Sequence, residues 1–349
     1  MESVNHILEQ GAIEASAPCR IDCGGTWDIK ALALPLEKMV PITINMALTL
    51  RTFVTLSPYD SGCVKIASRG FHNEETYSVS RLPFTSPFGL FIGAISHFGF
   101  HGLKVDIESQ SPVRSALGGS STALVALIQA LSKLAQRRAA SPLSKREILH
   151  LAYHLEDGIS GGNCGIQDQA AAVYGGVNQW VWEYSRPATP FKRTPLLNKG
   201  GRKSLSNRIL VAYSGKTHTS ATTNLNWINA FLAGETREGW VKANQIVHRF
   251  AAAIRSQDWG NAAHHLREEM AVRRRVTPDA LDENTQKQVS AAESAGCGAR
   301  FSGAGAGGSV WALGKRDRID VLREIWKEML TQMKGGQLLA CQVAAFGVR

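Results

Sequence analysis

The sequence predicts an α+β protein in two lobes, and three observations carry that expectation. Strands come in antiparallel-looking clusters, helices fall between the clusters rather than alternating strictly with strands, and 349 residues exceed what one hydrophobic core usually supports. A 44% hydrophobic share with 19% charged residues places the chain among globular proteins able to bury a core.

The elements follow in order. Residues 17–23 run into a Gly-Gly turn, and 40–56 read as extended. Within that stretch Ile42, Ile44, Met46, Leu48 and Leu50 alternate with polar or small residues, the period of a half-buried strand. Residues 54–56 and 64–67 continue the style, and Leu-Lys-Val-Asp-Ile at 103–107 adds another short strand. A Pro/Gly/Ser stretch at 111–121 opens directly into helical composition at 122–137. Ser144, with Glu147 three residues on, makes a capping box at the head of a helix reaching 155. Residues 158–165 are glycine-rich, and the small apolar run 166–173 reads as a buried helix. The segment 187–206, rich in Pro, Lys and Arg, is loop-like and marks the expected boundary between an N-terminal lobe (1–186) and a C-terminal lobe (187–349). Beyond it, 209–213 reads as a strand and 240–255, 259–275 and 317–333 as helices.

Composition removes several classes of function. The most apolar runs, 88–95 and 123–131, are too short for a membrane span of about 18 residues or are broken by Gln129. The N-terminus carries Glu2 and Glu9 and lacks a basic start followed by an apolar stretch, so no signal peptide is expected and the expected location is cytoplasmic. Six scattered cysteines contain no CxxC pair, and no second Cys/His pair completes a zinc set with Cys19 and Cys23; they read as reduced thiols. Lys+Arg exceeds Asp+Glu, 39 against 29, for a net charge of +10. Such an excess fits an anionic ligand or a nucleic acid. The basic residues are dispersed, however, and show no alternation with aromatics, so a small molecule is the expected partner and nucleic acid is not. Monomer and homodimer both stay open.

Four segments carry chemistry. In the first, Gly118 and Gly119 precede Ser120, Ser121 and an apolar helix. Glycines let the backbone approach a ligand, a helix start presents free N–H groups to phosphate, and serine hydroxyls can bind a phosphate oxygen or complete a magnesium shell. The GxxxxGK[ST] lysine is absent, and a serine-capped tight loop reads the same way. The second segment, Ser-Gly-Ala-Gly-Ala-Gly-Gly at 302–308, leaves almost no side chain between the backbone and what packs there; glycines for close strand packing are the alternative. In the third, Asp168 enters a small apolar run, where a charge needs a partner or a task. Near a triphosphate it could take a proton from an attacking hydroxyl while Glu156 holds magnesium, or it could simply be a capping or paired aspartate. In the fourth, Arg20 can neutralise charge on a transferring phosphoryl group and Asp28 can accept from sugar hydroxyls; a surface arginine and a turn aspartate are the alternative.

Taken together and in this order, the segments resemble the signature motifs of the GHMP kinases, the galactokinase, homoserine, mevalonate and phosphomevalonate kinase superfamily. Ala-Pro-Cys-Arg at 17–20 resembles the opening Ala-Pro-Gly-Arg, Leu-Gly-Gly-Ser-Ser-Thr at 117–122 the Gly-Leu-Gly-Ser-Ser phosphate loop, and 302–308 the C-terminal Gly-Ala-Gly-Gly-Gly loop. Gly-Ile-Gln-Asp-Gln at 165–169, with Gly175 and Gly176, is similar to heptose 7-phosphate kinases and fucokinases, and Asp28 and Asn45 point the same way. The resemblance implies a two-lobed fold with antiparallel sheets, a nucleotide site between the lobes, ATP and Mg²⁺ as cofactors, and γ-phosphoryl transfer to a sugar hydroxyl, in that branch usually the anomeric one. It implies Asp168 as catalytic base, Arg20 as assisting cation, and Ser121 and Glu156 at the metal. Leu117, Gly118, Gly119, Ser120, Ser121 and Thr122, with Gly303, Gly305 and Gly307, make the expected nucleotide set. Asp28, Gly25, Gly162 and Asp168 make the expected substrate contacts. Cys19 and Ala116 stand where the motifs have glycine, and Trp27 sits beside Asp28 in a segment one residue short. The leading expectation is a heptose 7-phosphate kinase; a kinase of free fucose, galactose or arabinose and a silent sugar- and ATP-binding sensor are the rivals. Lys199, Arg202, Lys203 and Lys216 are candidate cations for a phosphorylated acceptor.

Overall fold

Strands β1 (Ile13–Asp22), β2 (Ile42–Pro58), β3 (Cys63–Ser68), β4 (Glu75–Ser78), β5 (Leu103–Ser109), β6 (Val177–Trp182) and β7 (Phe191–Pro195) form one sheet in the order β4-β3-β5-β2-β6-β7, with β1 laid along β2. All pairings are antiparallel except β3 with β5. A second antiparallel sheet holds β8 (Ile209–Tyr213), β9 (Gly298–Phe301), β10 (Ser309–Leu313) and β11 (Gln337–Leu338) in the order β11-β8-β10-β9. The computed structural model describes residues 3–69, 74–186, 189–217 and 220–349. The expected boundary at residue 187 lies outside the described residues, and the first sheet runs on through β7.

β2 departs from the half-buried strand its alternation suggests. Ile42 to Leu48 is buried on both faces, and the polar positions Thr43 and Asn45 are as inaccessible as the isoleucines. Both are covered because a second layer packs over them, and both find partners, as buried polar groups must. Thr43 Oγ1 donates to Gly25 O at 2.5 Å and accepts from Trp182 Nε1 at 3.0 Å. Asn45 Nδ2 donates to Gln167 O at 2.9 Å and its Oδ1 accepts from Trp180 Nε1 at 3.0 Å. The Asn45 bond ties the helix Gln167–Tyr174, which carries Asp168, to the middle of the sheet.

The helix Gly119–Arg137 lies on β1 and β2 and is buried along most of its length, its apolar residues from Ala123 to Leu131 almost wholly inaccessible. Helices Gly89–Phe98, Lys145–Ile159 and Gln167–Tyr174 pack around it. The capping box forms as read: Ser144 Oγ accepts from Glu147 N at 3.3 Å and Glu147 Oε2 from Ser144 N at 2.7 Å. Helices Arg237–Arg255 and Trp259–Val276 pack on each other, the latter also against β9. The stretch read as a loop before residue 206 contains β7 and a helix, Lys199–Ser206, capped by Asn198 Oδ1 on Gly201 N at 2.9 Å. The cap, rather than composition, decides that helix.

The two sheets share a core. Cys19, Ile21, Ile44 and Met46 of the first pack with Val247, Phe250, Leu266 and Trp311 of the second part of the chain. No helix among the described residues is long and apolar enough to cross a membrane. All six cysteines are free.

Candidate active site

The site begins at an irregularity in β1. Its register against β2 shifts between Pro18 and Arg20, a bulge that re-aims the side chain that follows. Arg20 is turned inward and every nitrogen of its guanidinium is used. Nε and Nη2 bind Asp168 Oδ1 and Oδ2 at 2.7 and 2.9 Å, a two-point grip, while Nη1 donates to Ala116 O at 2.6 Å and Ser302 Oγ at 3.1 Å. Arg20 is 4% exposed; burial works against its charge, but the Asp168 carboxylate holds its pKa above the ordinary arginine value. One side chain thus joins the opening motif, both glycine loops and the aspartate, segments up to 282 residues apart in sequence.

The phosphate loop crosses directly over this pair. Gly118 takes φ +76°, and a Cβ there would stand 3.1 Å from Asp168 Oδ2, so glycine is required both by the backbone angle and by the crossing. Gly118 is also the N-cap of helix Gly119–Arg137 and offers no side-chain cap, leaving the first N–H groups of a long helix for a ligand. Ala116, where the motif has glycine, keeps the glycine-like φ of +62°. Its methyl fits because Gly308 of the other loop has none: a Cβ at Gly308 would lie 2.7 Å from it. Cys19 is buried in the bulge with its Sγ 3.4 Å from Ser111 Oγ, and burial pushes its thiol pKa up. The C-terminal loop is anchored separately: Gly303 N donates to Asp22 Oδ1 at 2.6 Å, and Asp22 also pairs with Arg300, whose Nε binds Glu269 at 3.0 Å.

Two further carboxyls flank Asp168. Glu156 accepts from Gln169 Nε2 at 2.6 Å; burial raises its pKa to about 7, with hydrogen bonds from Ser121 and Gln169 opposing and the Asp168 charge reinforcing the shift. Glu156 and Ser121 therefore bring a carboxylate and a hydroxyl together beside the free helix N-terminus. Hard oxygen donors of this kind suit Mg²⁺, which keeps waters and substrate phosphates in the rest of its shell. Asp28 is 1% exposed, and burial, then the Asp168 charge, lifts it to about 7. Gln167 holds its carboxyl with the backbone N–H at 3.3 Å and Nε2 at 3.2 Å.

These groups border one cavity of about 500 Å³. Arg20, Asp168, Glu156, Gly118 to Ser121 and Gly303 line its middle. One end is built by Ser68, Arg69, Leu90, Phe91, Ile107 and Ser109, from β3, β5 and the helix between them. The other end holds Thr26, Asp28, Asn163, Gly165, Gln167, Asn224 and Trp227. Leu117, Thr122, Gly25, Gly162, Gly305 and Gly307 are not among the lining residues. Leu117 is core, and Thr122 Oγ1 turns back to Gly118 O at 2.7 Å. Gly25 packs on Ile42 O and Gly305 on Ala280, where a Cβ would come within 2.0 and 2.3 Å; Gly307 lies beside Lys216, and Gly162 sits in an open turn at φ +85°. Lys199, Arg202 and Lys203 are not lining residues either, and Lys216 pairs with Asp282 at 3.0 Å. Sequence reading missed Thr26, Gln167, Asn224 and Trp227. Gln167 stood inside the quoted motif, but the helix Ser220–Leu232 bearing Asn224 and Trp227 has no glycine or charge pattern to mark it.

Comparison with known proteins agrees with this geometry. The GHMP kinases N terminal domain matches residues 89–176, spanning the phosphate loop, Glu156 and Asp168, and the GHMP kinases C terminal domain matches residues 250–332, spanning the second loop. The chain is 26% identical over 325 residues to the mevalonate kinase of Pyrococcus abyssi, covering 88% of this chain and 90% of that one. Its fold is similar to a D-glycero-D-manno-heptose 1-phosphate kinase from Bacteriodes thetaiotaomicron (TM-score 0.72, 19% identity, 97% and 98% of the two chains). It is similar as well to Lactococcus lactis galactokinase complexed with galactose (TM-score 0.73, 16% identity, 99% and 98%). With an arginine and an aspartate locked between two glycine loops, and with the matching N- and C-terminal domains in order along the chain, this protein belongs to the GHMP kinase superfamily.

Proposed function

We propose that the chain is an ATP- and Mg²⁺-dependent kinase that phosphorylates a hydroxyl group of a sugar. GHMP kinases are ATP-dependent, generally with Mg²⁺, and most act on hydroxyl acceptors, which supports this reaction class. The observation that carries the residue roles is the Arg20–Asp168 grip placed between the phosphate loop and the C-terminal glycine loop, in the middle of a cavity with room on both sides.

In this reading Asp168, held in place by two bonds from Arg20, accepts the proton of the acceptor hydroxyl and fixes its direction of attack. Arg20 stays charged throughout and offsets negative charge that builds on the transferring group. The free N–H groups at Gly119 to Ser121 hold phosphate oxygens, and Gly303 closes the opposite wall. Glu156 and Ser121 would hold magnesium, which neutralises phosphate charge when bound. The end lined by Asp28 takes the acceptor. The test is ADP release with Mg·ATP across hexoses, heptoses and their phosphates, with Asp168→Asn as the blank. Turnover above that blank is expected, and none on any acceptor would overturn the kinase reading.

Heptose 7-phosphate, the acceptor most in keeping with the motif around Asp168, is the second reading. A phosphorylated acceptor needs cations, and among the described residues Arg20, Arg69 and Arg114 are the basic ones at the cavity. Arg20 is committed to Asp168, Arg69 pairs with Glu108 on the opposite end, and Arg114 belongs to the phosphate loop. This favours an unphosphorylated sugar.

A further inference from the structure

A second cavity, of about 530 Å³, shares no lining residue with the site described above. Thr49 of β2, Ser206 and Asn207 form one wall, Arg316, Asp320 and Arg323 another, and residues 340–342 lie between them. Positions 316, 320 and 323 share one face of the helix Arg316–Thr331. Among the described residues none of these three has an ion pair or a side-chain hydrogen bond, whereas neighbouring Arg318 lies 3.6 Å from Asp317. Arg316 is exposed and Arg323 half-buried, and Asp320 is the one carboxylate among the described residues at this cavity. The facing wall adds neutral donors: the Asn207 amide, and the hydroxyl of Thr49, whose oxygen already accepts from Gln342 N at 2.9 Å.

The cavity straddles the seam between the two sheets. Thr49 N donates to Gln342 O at 2.8 Å, Leu48 bridges Val343, and Val343 N donates to Ser206 Oγ at 3.0 Å. Thr49 also stands across from the β1 bulge. Pairing there passes from Pro18–Arg51 directly to Arg20–Ala47, which leaves residues 48–50 opposite the irregularity that aims Arg20. Cys341, on the cavity wall, packs against the core that holds Cys19 at the bulge.

We propose that this second cavity is an effector site for a phosphate group, free or esterified, held by Arg316 and Arg323 and touching Thr49 across the seam. A phosphate carries close to two charges and three acceptor oxygens. It is the complement of two unpaired guanidinium forks beside an amide and a hydroxyl. Asp320 offsets part of the positive charge, so a singly charged anion gains little here while a dianion keeps a net attraction. Once bound, the anion ties β2 to the helix Arg316–Thr331 directly behind the bulge that directs Arg20. Binding at this cavity is independent of the phosphoryl-transfer reading, because none of its residues borders the central one.

The experiment is calorimetric titration with inorganic phosphate and with glycerol 3-phosphate, Mg·ADP being present at saturation to fill the phosphate loop. The tighter of the two probes tells whether the ligand is the free ion or an ester. Arg316→Gln and Arg323→Gln should each weaken binding about tenfold, the scale of losing one charge-assisted hydrogen bond, while Arg318→Gln leaves it unchanged. Asp320→Asn should tighten binding about twofold, a gain that a poorly folded variant cannot produce. Equal binding by the wild type and the Arg316→Gln/Arg323→Gln double variant would overturn the site. Acetate binding as tightly as phosphate would overturn it too, by showing an unselective basic surface. The effector role is read in turnover at saturating Mg·ATP and acceptor. The tighter probe should change kcat about fivefold in the wild type and leave the double variant unmoved. Binding with no change in kcat would overturn that role, and absence of any turnover would count against the kinase while the titration still reads the site.

Discussion

Two arginines are buried to nearly the same degree and are held in opposite ways. Arg20 has all three nitrogens bonded, to Asp168, Ala116 O and Ser302. Arg273 is wholly buried with none of its three bonded among the described residues. Its guanidinium instead lies over the rings of Trp227 and Trp240 at 4.3 and 4.4 Å, with Phe301 at 5.4 Å. The consequences differ in sign: Arg20 is held above the usual arginine pKa, whereas burial brings Arg273 down to about 9, the Glu269 charge only partly opposing. Directional bonds aim a charge; aromatic faces merely tolerate one. A kinase needs the first kind at the transferring group and can use the second only as packing.

The sharpest way to break that contrast is to keep the charge of Arg20 and remove its fork. Arg20→Lys cannot grip both oxygens of Asp168 and reach Ala116 O and Ser302 as well. It is expected to lower kcat by roughly 1,000-fold, the scale of losing an aimed arginine in phosphoryl transfer. Asp168→Asn should cost roughly 100- to 10,000-fold. ADP release at saturating ATP measures both, and an Arg20→Lys enzyme within about tenfold of wild type would mean that charge alone suffices.

The next effect is on stability and separates Arg273 from its neighbour Arg300. Arg300 is fully buried between Asp22 and Glu269, and Asp22 in turn holds Gly303. Arg300→Met leaves two buried carboxylates without their cation and should cost about 3–5 kcal/mol in urea unfolding. Arg273→Met removes a charge that no hydrogen bond holds. Loss of the aromatic contacts, about 2 kcal/mol when desolvated, is offset by relief of the buried cation, so a change within about 1 kcal/mol is expected. Equal losses in the two variants would show that the tryptophan faces hold a cation as firmly as carboxylates do.

The same contrast marks what could be read from the sequence. Arg20, Asp168 and parts of the two glycine loops could be singled out because they stand in short motifs, and the structure brings them together. So could the capping box at Ser144, a purely local device. Nothing in the sequence marked Arg273, because its tryptophan cage is assembled from helices distant in sequence. Thr43 and Asn45 were misjudged for the same reason: alternation predicts a solvent face, and only the layer packed above shows that none exists. The helix Lys199–Ser206 was hidden by Gly200 and Gly201, and Gly201 is needed by a local contact at the helix start, since a Cβ there would stand 2.9 Å from Leu197 Cδ2.

The smallest expected effect is a pH dependence, and it sharpens the picture on the Arg20 side. Asp28 is raised to about 7 by burial and then by the Asp168 charge beside it. An acid whose pKa is raised by folding keeps its proton in the native state where the unfolded chain has lost it. Between the ordinary carboxylate range near 4 and about 7, the native state therefore binds more protons, and stability falls as pH rises across that window. Asp28→Asn removes the titration while an amide can still accept the Gln167 N–H. Its Tm relative to wild type should thus become more favourable between pH 5 and pH 8, by an amount that stops growing above the Asp28 pKa. Magnesium should oppose the parallel effect at Glu156, also raised to about 7, because a bound cation favours its ionised form and releases the proton. A Tm difference between Asp28→Asn and wild type that stays flat with pH would mean that Asp28 ionises as an ordinary carboxylate, and that the Asp168 charge is spent wholly on Arg20.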